Sequence, residues 1–393
     1  MAVTGWAWRT PLGATVDEAM GRLNAGERAA RGNPHLVDDT YPCRVVAPVL
    51  GEPRPSRHKR FLRRMGLLAM EVAAEALRHA GVLAGERLGL FAGVGGLRAH
   101  WNDMMGAFAN QRDDGQEAWA RGLKDLHPFW MLRHLSNNAH ALLAAELGIQ
   151  GEGVTFGGAT AGAQALSAAI LALADHAVDA ALVVAYDSLL EPETLVELGA
   201  RKAATTASLP ALAAAYDQGA HGVVPGEAAV ALVLTRPEEA CPRALALVKA
   251  ADGGDGQCGE PLPETIADVV GRIAERDPVV DGAARAWPAL DLAERQSIAP
   301  SVSPDAALLA TTSATGQLGS AAALAQVITL SEVLRRRTLP AIAGLRSPAA
   351  GPLRPMFETT ATCAESAVGV STGAPGLVAA VRVALPRGRS SCS

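Results

Sequence analysis

The 393-residue chain predicts an α/β fold of layered sheets and helices. Three observations carry that expectation. Apolar runs of strand length alternate with stretches of helical periodicity, the rhythm of an α/β protein. The run Ala180–Tyr186 is continuously apolar, as suits a strand covered on both faces. Glycine is abundant (40 residues) while aromatics make up only 4%, a composition suited to helices packed closely on sheets.

The elements follow in chain order. Val3-Thr4-Gly5 with Pro11-Leu12-Gly13 reads as a strand and a turn, and a helix is expected from Val16 to Ala25. Five prolines between residues 30 and 60 disfavour long helices there. Arg64–Ala80 carries apolar residues at helical spacing and stops before Gly81. Leu88–Gly96 reads as a buried strand entering a Gly-rich turn, and residues 98–126 as a charged, Trp-bearing insertion. A helix is expected over Leu132–Leu147, a strand over Gly153–Phe156, a helix over Ala161–Leu173 and a strand region over Val224–Leu234. The rhythm then restarts: a strand from Leu245, helices over Pro263–Ala274 and Leu292–Ile298, a strand at Leu308–Thr311, a helix over Gly319–Arg335 and a closing strand over Leu377–Leu385. The expected halves are residues 1–237 and 238–393.

Net charge is -5 and the pI is near 6.0, so no electrostatic footprint for nucleic acid is present. The N-terminus has no basic segment followed by an apolar one, so no secretory leader is expected. The long apolar stretch Ala159–Tyr186 is interrupted by Gln164, Asp175, His176 and Asp179, which argues against a membrane span. Five scattered cysteines, without a CxxC pair, point to a reducing cytoplasm rather than to disulfides or structural zinc. Phe91–Gly96 lacks the spacing and the Lys-Ser/Thr of a phosphate cradle and reads as strand-turn packing. His127, His134 and His140 have no carboxylate or cysteine in register and read as structural. No cofactor and no metal are expected.

The informative segment is Val154–Leu166: a strand, a tight elbow of small residues, then a helix. Such an elbow presents a nucleophile at a helix N-terminus, where the dipole and free N–H groups stabilise developing negative charge. Here the sequence resembles the β-ketoacyl-acyl-carrier-protein synthases, whose elbow reads roughly Thr-Ala-Cys-Ser/Thr-Ser-Gly. The resemblance runs along most of the chain. Val3-Thr-Gly with Pro11-Leu-Gly13 looks like the family's opening. His127-Pro128-Phe129, Asn138 and Leu147-Gly148 look like the approach to the elbow. Tyr216-Asp217, Gly222–Glu227, Asp291-x-Ala293-Glu294, Thr311–Gly319 and the Gly-rich gate loop Ser371–Gly376 follow in the family's order. It implies a thiolase-like, five-layer αβαβα fold made of two pseudo-repeated halves.

The departures lie where the chemistry would be. The slot of the catalytic Cys is Ala159, those of the two His are Ala283 and Gln317, and that of the usual Lys is Thr312. All nine histidines lie at or before position 221, whereas the family's two would come from the second half. A methyl group cannot attack a thioester. Removing even one oxyanion donor costs about two to three orders of magnitude in rate. The implied role is a catalytically inactive, chain-length-factor-like partner of an active ketosynthase in a heterodimer, serving type II polyketide, aryl polyene or fatty-acid-like elongation. The chain is more similar to inactive subunits of aryl-polyene (xanthomonadin-like) clusters than to those of aromatic polyketide clusters, whose Cys slot is usually Gln. Gly158, Thr160, Thr372, Gly373 and Gly376 are the expected pocket and gate. The basic cluster Arg57, Lys59, Arg60, Arg63 and Arg64 is the candidate contact for an acyl carrier protein, against the plainer reading of a solvated helix start. Arg335-Arg336-Arg337 reads as complement to a helix C-terminus. Cys363 is not at an elbow and does not read as a replacement nucleophile. Two alternatives stay open: an acyltransferase using Thr160 or Ser167, and a non-enzymatic homodimer that binds acyl chains or a carrier protein.

Overall fold

The computed structural model describes residues 1–34, 43–83, 85–95, 126–240 and 243–386; the expected insertion over 98–126 lies outside them, save Leu126, as do Cys241 and Cys392. The first half contains β1 (Ala2–Arg9), α1 (Val16–Asn24), α2 (Arg64–Ala80), β2 (Leu88–Val94), α3 (Trp130–His134), α4 (Asn138–Leu147), β3 (Gly153–Gly157), α5 (Ala161–Ala174), β4 (Ala180–Ser188), α6 (Pro192–Ala200) and β5 (Glu227–Thr235). The second contains β6 (Ala246–Gly254), α7 (Pro263–Gly271), β7 (Val279–Asp281), α8 (Pro288–Ile298), β8 (Ala307–Leu309), α9 (Ala322–Arg336), β9 (Arg354–Pro355), β10 (Ser366–Gly373) and β11 (Leu377–Ala384).

These strands hydrogen-bond in the order β9-β8-β7-β10-β11-β6-β1-β5-β4-β2-β3. The order contains the same pattern twice. In one half β2 runs parallel to β3 and β4, while β5 is antiparallel to β4 and to β1. In the other β7 runs parallel to β8 and β10, while β11 is antiparallel to β10 and to β6. Within the strand ladder the halves join at β1 and β6, where Ala2 pairs with Leu247 and Val3 with Ala246.

Strand alternation sorts the side chains into layers. In β4, Ala181, Val183 and Ala185 join a central cluster with α5 (Ala165, Leu166, Ala169), α9 (Val327, Ile328) and β11 (Ala379, Val381). Their neighbours Leu182 and Val184 face the other way, onto α2 through Leu68, Val72 and Ala76. In the second half Val378 and Ala380 of β11 turn away from the centre and meet Ile266, Val269 and Val270 of α7. The layers are therefore helix, sheet, helix, sheet, helix, with α5 and α9 in the middle.

Three expectations need correction. The single helix expected over Leu132–Leu147 is two, because Leu135 is extended (ψ 124°) and Asn138 Nδ2 donates to Leu132 O (2.8 Å) and Phe61 O (2.7 Å), consuming the carbonyl a continuing helix would use. The expected Gly319–Arg335 helix begins as a 3₁₀ turn, Gly319–Ala321, before α9. Ser371–Gly373, expected as part of a loop, is the end of β10 and pairs with β11. The middle layer yields a direct test. Leu166 is fully buried within it, so Leu166→Ala is expected to lower unfolding free energy by about 2–5 kcal/mol in denaturant melts; a loss below about 1 kcal/mol would contradict this packing.

Candidate functional site

The elbow forms where β3 turns into α5. Gly158 has φ +123°, a conformation side-chain-bearing residues rarely adopt, and its N–H donates to Val94 O (2.9 Å). Ala159 follows, and Thr160 precedes α5, its carbonyl accepting from Ala163 N (3.0 Å) and Gln164 N (3.2 Å). Ala159 lies on the wall of a cleft of about 570 Å³, together with Leu198, Trp287, Gln317, Thr372 and Gly373. A methyl group placed on Gly373 would sit 2.2 Å from Ala159 Cβ. The end of β10 therefore closes directly over the elbow, and glycine is what permits that approach. Among the predicted pocket residues, Thr372 and Gly373 line the cleft, whereas Gly158, Thr160 and Gly376 do not. Thr160 is 3% exposed, and Ser167 Oγ donates to Asp252 Oδ1 (3.0 Å), tying α5 to β6 away from the cleft.

Gln317 is held by its backbone: its N–H donates to Val224 O (2.8 Å), and its carbonyl accepts from Gly226 N (2.9 Å). Ala283 and Thr312 do not reach the cleft. They lie behind Gln317, which they join in lining a smaller internal chamber. Thr312 Oγ1 donates to Ala284 O (3.5 Å).

The loop carrying Ala283 is gripped by a buried acid. Glu294 accepts the N–H of Ala283 (2.6 Å) and of Ala284 (3.1 Å), together with the Tyr216 hydroxyl (3.3 Å). Asp291, one helical turn earlier, accepts Tyr216 N (3.0 Å). Burial, reinforced by Asp291, pushes the Glu294 carboxyl up to about 8, and burial pushes Asp291 up to about 6. The Asp291-x-Ala293-Glu294 motif was visible in the sequence, but this clamp on the 283–284 loop was not. Asp187 was missed as well. It lines the cleft and accepts Ser320 N (3.0 Å). Gly95 and Gly319 press so closely that an added Cβ would fall 1.9 and 2.0 Å from its carboxylate.

Residues 1–240 match the family described as Beta-ketoacyl synthase, N-terminal domain. The chain belongs to the β-ketoacyl synthase family. Among solved structures it is similar to a β-ketoacyl synthase from Burkholderia phymatum STM815 (20% identity, TM-score 0.82, covering 98% of this chain and 99% of that one). It is similar to the ishigamide ketosynthase/chain length factor (19% identity, TM-score 0.85, 98% of each chain). It is also similar to an oxazolomycin ketosynthase domain from Streptomyces albus JA3453 (16% identity, TM-score 0.83, 99% of this chain and 76% of that one). No curated protein matches. The thiolase-like ketosynthase fold expected from the motifs is thus the fold of the chain.

The basic cluster does not act as one face. Arg57, Lys59 and Arg60 are exposed on a 3₁₀ turn, Arg57–Arg60, and Arg57 pairs with Glu146. Arg64 instead points inward: it bonds the buried Glu227 (2.6 Å) and the carbonyls of Val49 (2.6 Å) and Gly51 (2.9 Å). Arg63 is half-buried, and burial beside Arg133 brings its guanidinium down to about 10. Arg64 is therefore a structural residue rather than part of an exposed contact. His134 Nδ1 lies 2.6 Å from Trp130 O, His140 Nδ1 3.1 Å from Thr155 Oγ1, and His127 Nδ1 accepts Phe129 N (3.1 Å); no metal-holding cluster occurs among the described residues. No described helix is long and apolar enough to cross a membrane.

Two predictions follow from these groups. Arg64→Ala strands Glu227 and is expected to cost on the order of 3 kcal/mol, whereas Arg57→Ala is expected to stay within about 0.5 kcal/mol; parallel urea melts compare them. For Glu294 the folded carboxyl at about 8 lies above its unfolded value of 4.5, so the fold binds a proton that the unfolded chain releases. Its stabilising contribution is complete below 4.5 and is lost as pH rises through about 8. Stability is expected to fall with pH across that window by up to about 1.4 kcal/mol per unit. Glu294→Gln should flatten that slope in melts at stepped pH; an unchanged slope would assign it to other groups.

Proposed function

We propose that this member of the β-ketoacyl synthase family is a non-catalytic, chain-length-factor-like subunit that pairs with an active β-ketoacyl synthase. The observation that carries the reading is the methyl of Ala159 at the elbow, seated under Gly373 in the cleft. It offers no electron pair to a thioester. No histidine lines this cleft among the described residues, and the family resemblance puts Ala283 and Gln317 at the two imidazole slots. Cys258 is on the cleft wall but sits on an exposed stretch between β6 and α7 rather than at the elbow. In the division proposed, residues 1–237 contribute the elbow and residues 238–393 contribute the Ala283, Thr312 and Gln317 positions.

The partner reading has two supports. The solved ishigamide ketosynthase/chain length factor shares the fold over nearly the whole chain. In addition, β3 is an edge strand that pairs with β2 on one side only among the described residues. Among exposed apolar side chains, Met131 is 63% exposed, Leu135 48% and Leu171 of α5 62%. An unpaired strand edge and exposed apolar side chains each invite association. The chains elongated by the pair would be of polyketide, aryl polyene or fatty-acid type, delivered on an acyl carrier protein for which Arg57, Lys59 and Arg60 are the exposed candidate contacts.

The test is co-expression with an intact ketosynthase, purified through a tag on this chain alone. Stoichiometric co-purification is expected, with condensing activity that disappears when the partner's catalytic Cys is replaced. A stable lone homodimer that ignores the ketosynthase would overturn the reading in favour of an acyl-chain or carrier-protein scaffold. Condensing activity from this chain alone would favour an acyltransferase with different catalytic residues.

A further inference from the structure

Behind Gln317 lies an internal chamber of about 30 Å³, lined by Trp8 of β1, Ala283, Gln317 and Gln326 of α9, with Leu12 and Met20 completing an apolar side. Trp8 is 4% exposed, Gln317 7% and Gln326 5%. Each carries one buried polar atom without a hydrogen-bond partner: Trp8 Nε1, Gln317 Oε1 and Gln326 Oε1. Buried polar atoms in folded proteins are almost always satisfied, by protein or by a bound molecule. The other end of the Gln326 amide is already committed, its Nε2 donating to Asp281 O (3.2 Å) and Val370 O (2.9 Å). That fixes its Oε1 as an acceptor. Gln317 and Ala283 occupy the two positions at which the family resemblance places imidazoles, so the chamber occupies the space behind the expected site of chemistry.

We propose that this chamber is a binding site for a small neutral molecule with two hydrogen-bond donors and one acceptor. Of the residues that line it, three carry unpartnered atoms that form the complement: two carbonyl oxygens, which need donors, and one indole N–H, which needs an acceptor. The volume suits about two waters at roughly 10–15 Å³ each, or one primary amide of formamide size. Ala283, in place of a larger side chain, helps leave that room. No charged side chain lines the chamber, so a neutral ligand is required. Gln317 lines the cleft as well. A molecule held on its Oε1 therefore positions the amide that separates chamber from cleft. This inference is independent of the partner reading, since it concerns the interior of this chain alone.

High-resolution crystallography of the full chain, alone or in complex with its partner, tests it through three soaks: buffer, formamide and pressurised xenon. Ordered density within hydrogen-bond distance of at least two of the three atoms is expected. Its persistence or replacement in formamide distinguishes water from amide as the occupant. Trp8→Phe keeps an aromatic ring but removes the donor together with the five-membered ring, and should lower the occupancy of that density. Gln317→Leu should turn the chamber into one that takes xenon. A wild-type chamber that takes xenon and shows no polar density, or one whose three side chains turn to find protein partners, would overturn the proposal. Neither outcome touches the co-purification test of the partner reading.

Discussion

Helix α5 lies between two sheets only because its first turn carries almost no side chain. An added Cβ at Gly93 would fall 2.4 Å from Gly162 N and 2.5 Å from the Ala161 carbonyl carbon. At Gly162 it would fall 2.2 Å from Ser320 O. Strand β2, the start of α5 and the turn before α9 therefore meet backbone to backbone. Any side chain at these points would hold the sheets apart, and the elbow would no longer face the cleft.

That close approach organises the polar groups around it. Asp187 can accept from Ser320 N because Gly95 and Gly319 leave its carboxylate the space. The second half contributes its own constraint through Glu294, a buried acid that clamps the loop of Ala283. Arg295, the next residue on α8, turns to other work and donates to the carbonyls of Pro352 (2.7 Å), Ala349 (2.9 Å) and Leu353 (2.8 Å). The scaffold around the site is thus tightly bonded, and within it the elbow carries the methyl of Ala159 while Gln317 stands between cleft and chamber.

Much of this was legible in the chain itself. Strand and helix identities followed from apolar runs of strand length and helical patterning, since those patterns are the burial patterns of each element. The elbow was legible because Gly157, Gly158 and Ala159 between a strand and an Ala-rich helix have few other uses. The proposed replacements at Ala159, Ala283 and Gln317 rest on motif order, and the absence of histidine after position 221 needed no structure at all.

Other features depended on tertiary contact. The break between α3 and α4 arises because Asn138 reaches Leu132 O and Phe61 O, a choice no local propensity records. Arg64 and Arg57 are equivalent cations in the sequence, yet one faces Glu227 inside and the other Glu146 at the surface. Gly373 became the cover of the elbow only when β10 and β11 paired across the sheet. The sequence by itself determined the layered fold and the residue types available at the elbow, because patterning and residue identity are local. Only the tertiary structure decided which side chains share the cleft, which lie behind it and which charges are buried, because those are distances between segments far apart in the chain.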